Sequence, residues 1–254
     1  MFTLVISPNI KLMAGYTEDL AYIHDVGFGG FARSAAPGLL AILKQTGIVR
    51  GLVIDLGCGS GIWAQELGAA GYEVLGIDLS VAMIRLARER VPQSEFRTES
   101  FLTTQLPPCV AVTAIGECFN YLFDGRNTRQ ALRRLFHRIE QALRPGGVLV
   151  FDVAGPGRAG DAAARRKHLE GDDWAILFEA EEDRPRRCLT RRITTFRKVG
   201  ELYRRDQEVH RLRLFTRSEL ARQLRRIGFR VRIVPGYGQA PFVPGHFGFV
   251  ARKP

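Results

Sequence analysis

A glycine-rich segment directly after an apolar run constrains the fold of this chain most strongly. Leu52–Leu56 is short and apolar, and glycines follow at positions 57, 59 and 61, which is typical of a buried strand that ends in a tight loop. Because glycine has no Cβ, such a loop can turn sharply and approach a ligand closely. Asp78 ends the next apolar run, where its carboxylate can accept hydrogen bonds from the hydroxyls of a ribose. The segment therefore predicts a nucleoside site at the ends of two strands.

The spacing of these glycines distinguishes between two kinds of ligand. A loop that binds the pyrophosphate of a nicotinamide dinucleotide would have glycines at positions 57, 59 and 62. Here position 62 is Ile, and the third glycine is Gly61. Because the glycine that a pyrophosphate needs at the start of the helix is missing, the loop favours a nucleoside without phosphates, such as S-adenosylmethionine.

Strand-like and helix-like segments alternate along most of the chain. Helices are predicted within residues 17–46, and strand–helix pairs follow from Leu52 to Phe151. This alternation indicates a mostly parallel sheet that is covered on both faces.

The alternation of strands and helices stops after residue 154. Three segments rich in Arg, Thr and aromatic residues predict an antiparallel β insertion: residues 174–182, 188–199 and 202–215. The strand–helix pattern resumes at a capping box, Thr216–Glu219. We therefore expect an α/β fold: a Rossmann-like seven-stranded, mostly parallel sheet with helices on both faces and an antiparallel β insertion. The expected division is an N-terminal helical cap (1–48), a nucleoside-binding core (49–154 and 216–254) and the insertion (155–215).

The formal net charge of +11 is unevenly distributed. Residues 1–154 contain 14 Lys and Arg against 14 Asp and Glu, so the excess lies in the Arg-rich remainder. A basic surface can bind nucleic acid. In the helix after Thr216, however, Arg222, Arg225 and Arg226 lie opposite an apolar stripe, as solvated side chains do.

The cysteines and the lack of long apolar runs bear on the cellular compartment. The four cysteines form no CxxC pair and have no His at metal-ligand spacing, so we expect reduced thiols and no metal site. No apolar run approaches the roughly 20 residues of a membrane span, and the first six residues lack the basic leader of a signal peptide. These features predict a cytoplasmic protein with no membrane partner.

The segment from Asp55 to Gly61, together with Asp78, resembles the cofactor-binding motif of the class I S-adenosylmethionine-dependent methyltransferases. The likeness extends over residues 45–153 and 216–252, and it implies that S-adenosylmethionine is the cofactor. Asp78 would hold the ribose, and Ser100 stands where an Asp is common in the family. The residues expected around the cofactor are Asp55, Gly57, Cys58, Gly59, Gly61, Asp78, Leu79, Met83, Glu99, Ser100, Phe101, Gly116 and Glu117.

Residues Ile115–Leu122 follow the fourth strand, where the family brings the cofactor sulfonium and the methyl acceptor together. They lack the Asn/Asp-Pro-Pro-Tyr/Phe signature of family members that methylate amines in DNA and protein. The insertion is similar, in position and β character, to the roof over the active site in small-molecule N-methyltransferases. The resemblance therefore implies methyl transfer to a small-molecule acceptor at N or O. A general base can assist such a step, and the candidates are Tyr16, Glu117, Tyr121 and His210.

Two alternatives stay open from the sequence. One is an RNA methyltransferase that uses the Arg-rich C-terminal region. The other is a non-catalytic protein that only binds the cofactor. The sequence gives no indication of the oligomeric state.

Overall fold

A computed structural model describes residues 5–6, 15–160 and 165–254. The strands in this part of the chain are β1 (Val5–Ile6), β2 (Leu52–Leu56), β3 (Glu73–Asp78), β4 (Glu95–Thr98), β5 (Cys109–Ala114), β6 (Leu143–Ala154), β7 (Arg166–Glu170), β8 (Trp174–Asp183), β9 (Cys188–Val199), β10 (Leu202–Arg213), β11 (Arg230–Val234), β12 (Gly236–Tyr237), β13 (Ala240–Pro241) and β14 (His246–Arg252). The α-helices are α1 (Glu18–Phe28), α2 (Gly30–Gln45), α3 (Ile62–Ala69), α4 (Val81–Arg90), α5 (Arg129–Ala142) and α6 (Arg217–Ile227).

The central sheet has seven strands in the order β11-β14-β6-β5-β2-β3-β4. All neighbours from β6 to β4 run parallel, whereas β14 is antiparallel to both β6 and β11. The predicted seven-stranded, mostly parallel sheet is therefore confirmed. Its strand order reverses between β2 and β5, which places a crevice at the carboxyl ends of these two strands.

Helices cover both faces of the central sheet, as predicted. On one face, α2, α3 and α4 contribute side chains such as Leu39, Trp63 and Ile84 to one hydrophobic cluster. On the other face, α5 and α6 bury side chains such as Leu135 and Leu224 in a second cluster. Apolar residues at helical spacing form these faces, which explains why the sequence pattern identified the helices.

The predicted capping box at α6 forms only in part. The Thr216 hydroxyl accepts a hydrogen bond from the backbone N–H of Glu219 at 3.3 Å, as an N-cap residue does. The Glu219 carboxylate instead pairs with Arg129 and with Arg187, the latter at 2.9 Å. The cap therefore starts α6, and the acidic residue links it to α5 and the insertion.

The insertion forms a second sheet in the order β1-β10-β9-β8-β7, in which β7 to β10 pair antiparallel. The sequence did not predict β7, because all five of its residues are exposed and show no apolar alternation. The strand β1 pairs parallel with β10 inside a region that was expected to be helical. Residues 1–4 and 7–14 of the expected cap and 161–164 of the expected insertion lie outside the described residues.

Asn120 joins the insertion to the core. Its side chain is completely buried, and its amide group donates to the carbonyl oxygens of Ala154 at 2.7 Å and Arg213 at 2.6 Å. Its amide oxygen accepts from the backbone N–H of Ala154 at 3.0 Å. These two residues end β6 and β10, so one side chain holds the entry and the exit of the insertion together.

Helix α1 lies between the insertion sheet and the core. Leu20 and Ile23 pack against Ile176 and Ile193 of the sheet. Ala21, one residue away on the opposite face, packs against side chains of α4. A salt bridge of 2.9 Å from Arg90 to Asp25 also ties α1 to α4. This arrangement places the first described helix beside the carboxyl edge of the central sheet.

No single helix in the described residues has the length and apolar composition of a membrane span. The bent pair of α1 and α2, which meet at 60°, passes that test only when the two helices are taken together.

Candidate active site

The carboxyl ends of the central strands border a cavity of about 250 Å³. Loops after β2, β3, β4 and β5 form one side, and residues from α1 and α2 form another. Ten residues that the sequence predicted around the cofactor line this cavity: Asp55, Gly57, Cys58, Gly59, Asp78, Leu79, Met83, Ser100, Phe101 and Gly116. The fold therefore brings most of the predicted nucleoside site together.

The loop after β2 leaves room for a ligand where a side chain would fill it. Gly57 and Gly59 have φ angles of +72° and +54°, in the left-handed region that favours glycine. A Cβ at Gly59 would meet no protein atom within 4 Å, and Gly59 lines the cavity, so that space is open to a ligand. The loop is held in place because the backbone N–H groups of Gly57 and Cys58 both donate to the carbonyl oxygen of Ile77.

Asp78 faces this loop from the end of β3. One carboxylate oxygen accepts from the Gly59 backbone N–H at 2.9 Å, and the other accepts from the Ser80 backbone N–H at 2.8 Å. Each oxygen can accept a further hydrogen bond. Burial raises the pKa of Asp78, although the backbone N–H groups oppose this effect. The carboxylate is therefore oriented by the protein and retains acceptor sites for the two hydroxyls of a ribose.

Asp55, at the end region of β2, is 2% exposed. It accepts a hydrogen bond of 2.7 Å from the Thr113 hydroxyl, which in turn accepts one of 3.1 Å from the Trp63 indole N–H. Burial raises the pKa of Asp55 to about 7. Its charge is consequently sensitive to pH near neutrality and to any cationic group that enters the cavity.

A carboxylate that the sequence did not predict lies next to Ser100 in the cavity. The Ser100 hydroxyl donates to the carboxylate of Asp124, which also lines the cavity. At the position where the resemblance implies an Asp, this chain therefore has a serine that is hydrogen-bonded to an acidic residue from the loop after β5. Only their proximity in three dimensions reveals this, since 24 residues separate them in the chain.

Three predicted cofactor residues do not line the cavity. Gly61 starts α3, and a Cβ there would lie 3.0 Å from Ala87, so this glycine permits close packing of α3 on α4. Glu99 is exposed and accepts a hydrogen bond from Thr104 at 2.7 Å. Glu117, the third, is buried but does not line the cavity.

Glu117 is buried and fully engaged by two arginines of the insertion region. Arg191 pairs with one carboxylate oxygen at 2.7 Å, and Arg158 pairs with the other. Despite the burial, these charges lower the pKa of Glu117 to about 2. Glu117 therefore cannot readily accept a proton, and its carboxylate instead fixes Arg191, which donates to the Tyr121 hydroxyl at 3.2 Å.

Aromatic side chains form the wall next to the glycine loop. Tyr16, Tyr121 and Phe123 all line the cavity, and the two tyrosine hydroxyls are 3.1 Å apart. The rings of Tyr121 and Phe123 stack at a centroid distance of 4.9 Å. Tyr16 and Tyr121, which were predicted from distant parts of the sequence, are thus direct neighbours.

The fourth predicted catalytic residue, His210, lies behind these rings and does not line the cavity. Its ring is 4.7 Å from that of Phe123 and 5.1 Å from that of Tyr16, between centroids. Its Nε2 hydrogen-bonds to Glu208 at 2.8 Å, and Glu208 also accepts from the backbone N–H groups of Tyr16 and Thr17. His210 therefore supports the position of Tyr16 through Glu208.

The described residues contain no group of three or more His, Cys, Asp or Glu placed to hold a metal ion. The sequence predicted an N-terminal helical cap, but it did not single out the residues that α1 and α2 contribute to the cavity, among them His24, Phe28 and Phe31. Their helical spacing resembled that of ordinary core residues, so no motif distinguished them.

The chain is similar to known methyltransferases in sequence and in structure. A family model described as a methyltransferase domain matches residues 30–233. YqeM of Bacillus subtilis, which is named as a methyltransferase, is 26% identical over 193 residues, covering 73% of this chain and 76% of that protein. The dTDP-3-amino-3,6-dideoxy-alpha-D-glucopyranose N,N-dimethyltransferase of Streptomyces fradiae is 24% identical over 243 residues, or 88% of each chain.

The structure of CalS10 with S-adenosylmethionine bound has a similar fold. CalS10, an amino pentose methyltransferase from Micromonospora echinaspora, superposes with a TM-score of 0.74 at 22% identity, over 95% of this chain and 99% of that one. The family match spans most of the chain, and the glycine loop and Asp78 lie at the strand ends that border the cavity. The chain therefore belongs to the methyltransferase-domain family and is a class I S-adenosylmethionine-dependent methyltransferase.

Proposed function

We propose that this enzyme transfers the methyl group of S-adenosylmethionine to a nitrogen or oxygen atom of a small molecule that binds against Tyr16, Tyr121 and Phe123. The observation that carries the proposal is that these three rings line the same cavity as the glycine loop and Asp78. A cofactor held by the loop and an acceptor held by the rings would therefore lie side by side in one cavity. Such a space suits a small acceptor group better than a folded macromolecule.

The residues present fit the cofactor. Asp78 would bind the ribose hydroxyls, and the open space beside Gly59 would admit the adenosyl part. Ser100 and Asp124 would contact the adenine amine, and the loop that begins at Asp55 would enclose the methionine part. When bound, S-adenosylmethionine supplies a methyl group that its sulfonium already activates. The protein then has to hold the acceptor in line and exclude water.

Tyr16 and Tyr121 would act as neutral groups that orient the acceptor. Burial raises the pKa of both phenols, so neither ionises near neutral pH. Their hydroxyls can each donate and accept a hydrogen bond. Because Arg191 and the paired phenol hold the Tyr121 hydroxyl in one place, an acceptor group that bonds to it would be fixed in orientation.

Amino sugars are the acceptor class to test first. Two of the similar proteins named above carry amino-sugar substrates in their names, and the aromatic wall can pack against the apolar face of a sugar ring. RNA is a weaker candidate, because Arg222 and Arg226 of α6 line a separate groove with α5 rather than the cavity.

A methyl-transfer screen tests the proposal. The purified enzyme and S-adenosylmethionine labelled in its methyl group would be incubated with nucleotide-linked amino sugars, small amines, phenols or total RNA. We expect label in at least one small-molecule pool and none in RNA. Transfer to RNA alone would contradict the proposal, and cofactor binding without transfer to any pool would favour a non-catalytic role.

A further inference from the structure

His24 is a polar side chain in the cavity wall that the cofactor site leaves unused. It lies on α1, and its ring meets that of Tyr16 edge to face at a centroid distance of 5.0 Å. Its other aromatic neighbour, Phe28, stacks on it at 6.3 Å. The Nδ1 atom of His24 is buried and has no hydrogen-bond partner within the described part of the chain. A buried nitrogen without a hydrogen-bond partner is unfavourable, so a bound ligand is the natural partner for this ring.

The charged and titratable groups around His24 are committed elsewhere. Asp25, the next residue, pairs with Arg90 and accepts from Ser60. His210 bonds to Glu208, and Tyr16 bonds to Tyr121. Burial has the largest effect on the pKa of His24 and lowers this pKa to about 4, although Asp25 raises it. The ring is neutral at physiological pH, with one nitrogen able to accept a hydrogen bond.

A neutral hydrogen-bond acceptor suits the part of the cavity where the substrate to be methylated would bind. Tyr16, Phe28, Tyr121 and Phe123 line the cavity beside His24, and the carboxylates of the cavity are the ones that we assign to the cofactor: Asp55, Asp78 and Asp124. An amine must be uncharged to attack a methyl group with its lone pair, and its N–H then needs a hydrogen-bond acceptor that does not stabilise the ammonium form. A neutral imidazole meets this need, whereas a carboxylate would favour the unreactive ammonium ion.

We propose that a ring nitrogen of His24 accepts a hydrogen bond from the N–H or O–H of the methyl acceptor and so orients its lone pair toward the methyl group. This inference rests on the proposed function. It assigns a substrate contact to the N-terminal helix, and it implies that an amine acceptor binds in its uncharged form.

Two cofactor analogues test this contact without knowledge of the natural acceptor. S-adenosylhomocysteine lacks the transferred methyl group, whereas sinefungin has an amine-bearing carbon in place of the methyl-bearing sulfur, so its amine projects toward the acceptor. Both affinities would be measured by calorimetry for the wild type, His24→Phe, His24→Asn and His24→Gln. His137→Phe, at an exposed position on α5, is the matched control.

We expect His24→Phe to weaken the binding of sinefungin by about tenfold or more, as loss of a hydrogen bond to a charged group does. The affinity for S-adenosylhomocysteine should change by less than about twofold. Asn or Gln, which retain a polar atom near Nδ1 or Nε2 respectively, should restore part of the sinefungin affinity. If His24→Phe weakened the binding of both analogues equally, His24 would be a cofactor contact. If it changed neither affinity, His24 would make no contact with the ligand. Either result overturns the inference. If the wild type bound neither analogue, the proposed function itself would fail.

Discussion

Replacing Asp55 with asparagine removes the carboxyl group whose pKa burial raises from 3.8 to about 7. The folded protein holds this proton more tightly than the unfolded chain does. The raised pKa therefore contributes stability that is fully present below about pH 4 and is lost as the pH rises through about 7. The amide side chain of the Asp55→Asn variant would not titrate, so the variant should lack this part of the pH dependence.

The size of the effect follows from the shift in pKa. Each pKa unit corresponds to about 1.4 kcal/mol. For a pKa of 3.8 unfolded and about 7 folded, the free energy of unfolding should fall by about 2–3 kcal/mol between pH 5 and pH 8. Because the comparison uses the slope with pH, a constant offset from the altered hydrogen bond with Thr113 does not affect it.

Urea unfolding of the cofactor-free protein at pH 5, 6, 7 and 8 measures this slope. Relative to wild type, Asp55→Asn should gain about 2–3 kcal/mol of stability across that range. Asp172→Asn, which changes an exposed Asp in the insertion, should run parallel to wild type. Parallel curves for wild type and Asp55→Asn would show that Asp55 titrates normally and would refute the argument from burial.

Three further substitutions test other parts of the site. Asp78→Ala should weaken S-adenosylhomocysteine binding by about 1–3 kcal/mol in calorimetry, because the ribose hydroxyls lose a buried partner; unchanged affinity would place the ribose elsewhere. Tyr121→Phe should reduce methyl transfer by roughly tenfold, the worth of about one hydrogen bond, without affecting cofactor affinity, and full activity would leave the hydroxyl without a role. Asn120→Ala should lower the free energy of unfolding by about 2–4 kcal/mol in urea, since it strands buried backbone groups, whereas the exposed Gln130→Ala should change it little.

The fold and the cofactor side of the site were accessible from the sequence because their signals are local. Strands β2 and β3 are short apolar runs; the glycines directly follow the first, and Asp78 ends the second. Parallel strands end at the same edge of a sheet, so these residues had to meet once the order of strands was set. The exposed strand β7 had no such signal, because burial creates the alternation that a sequence reveals.

The acceptor side depends on contacts between distant segments, which the sequence does not encode locally. Glu117 looked like a free acid until the insertion supplied Arg158 and Arg191 to its two oxygens. His210 alternates toward the interior of β10, but only the packing of Tyr16 and Phe123 in front of it removes it from the cavity. Conversely, His24 lies on α1 among residues whose helical spacing resembles that of ordinary core residues.

Calorimetric titration of the wild type and of Gly59→Val with S-adenosylhomocysteine tests most directly whether the loop after β2 holds the cofactor. A Cβ at position 59 would meet no protein atom within 4 Å, so a valine there would project into the open space of the cavity, at the cost of backbone strain from its φ of +54°. We predict one binding site per wild-type chain and no detectable binding to a Gly59→Val protein with a wild-type circular dichroism spectrum. Wild-type affinity in the folded variant would contradict the assignment of this loop.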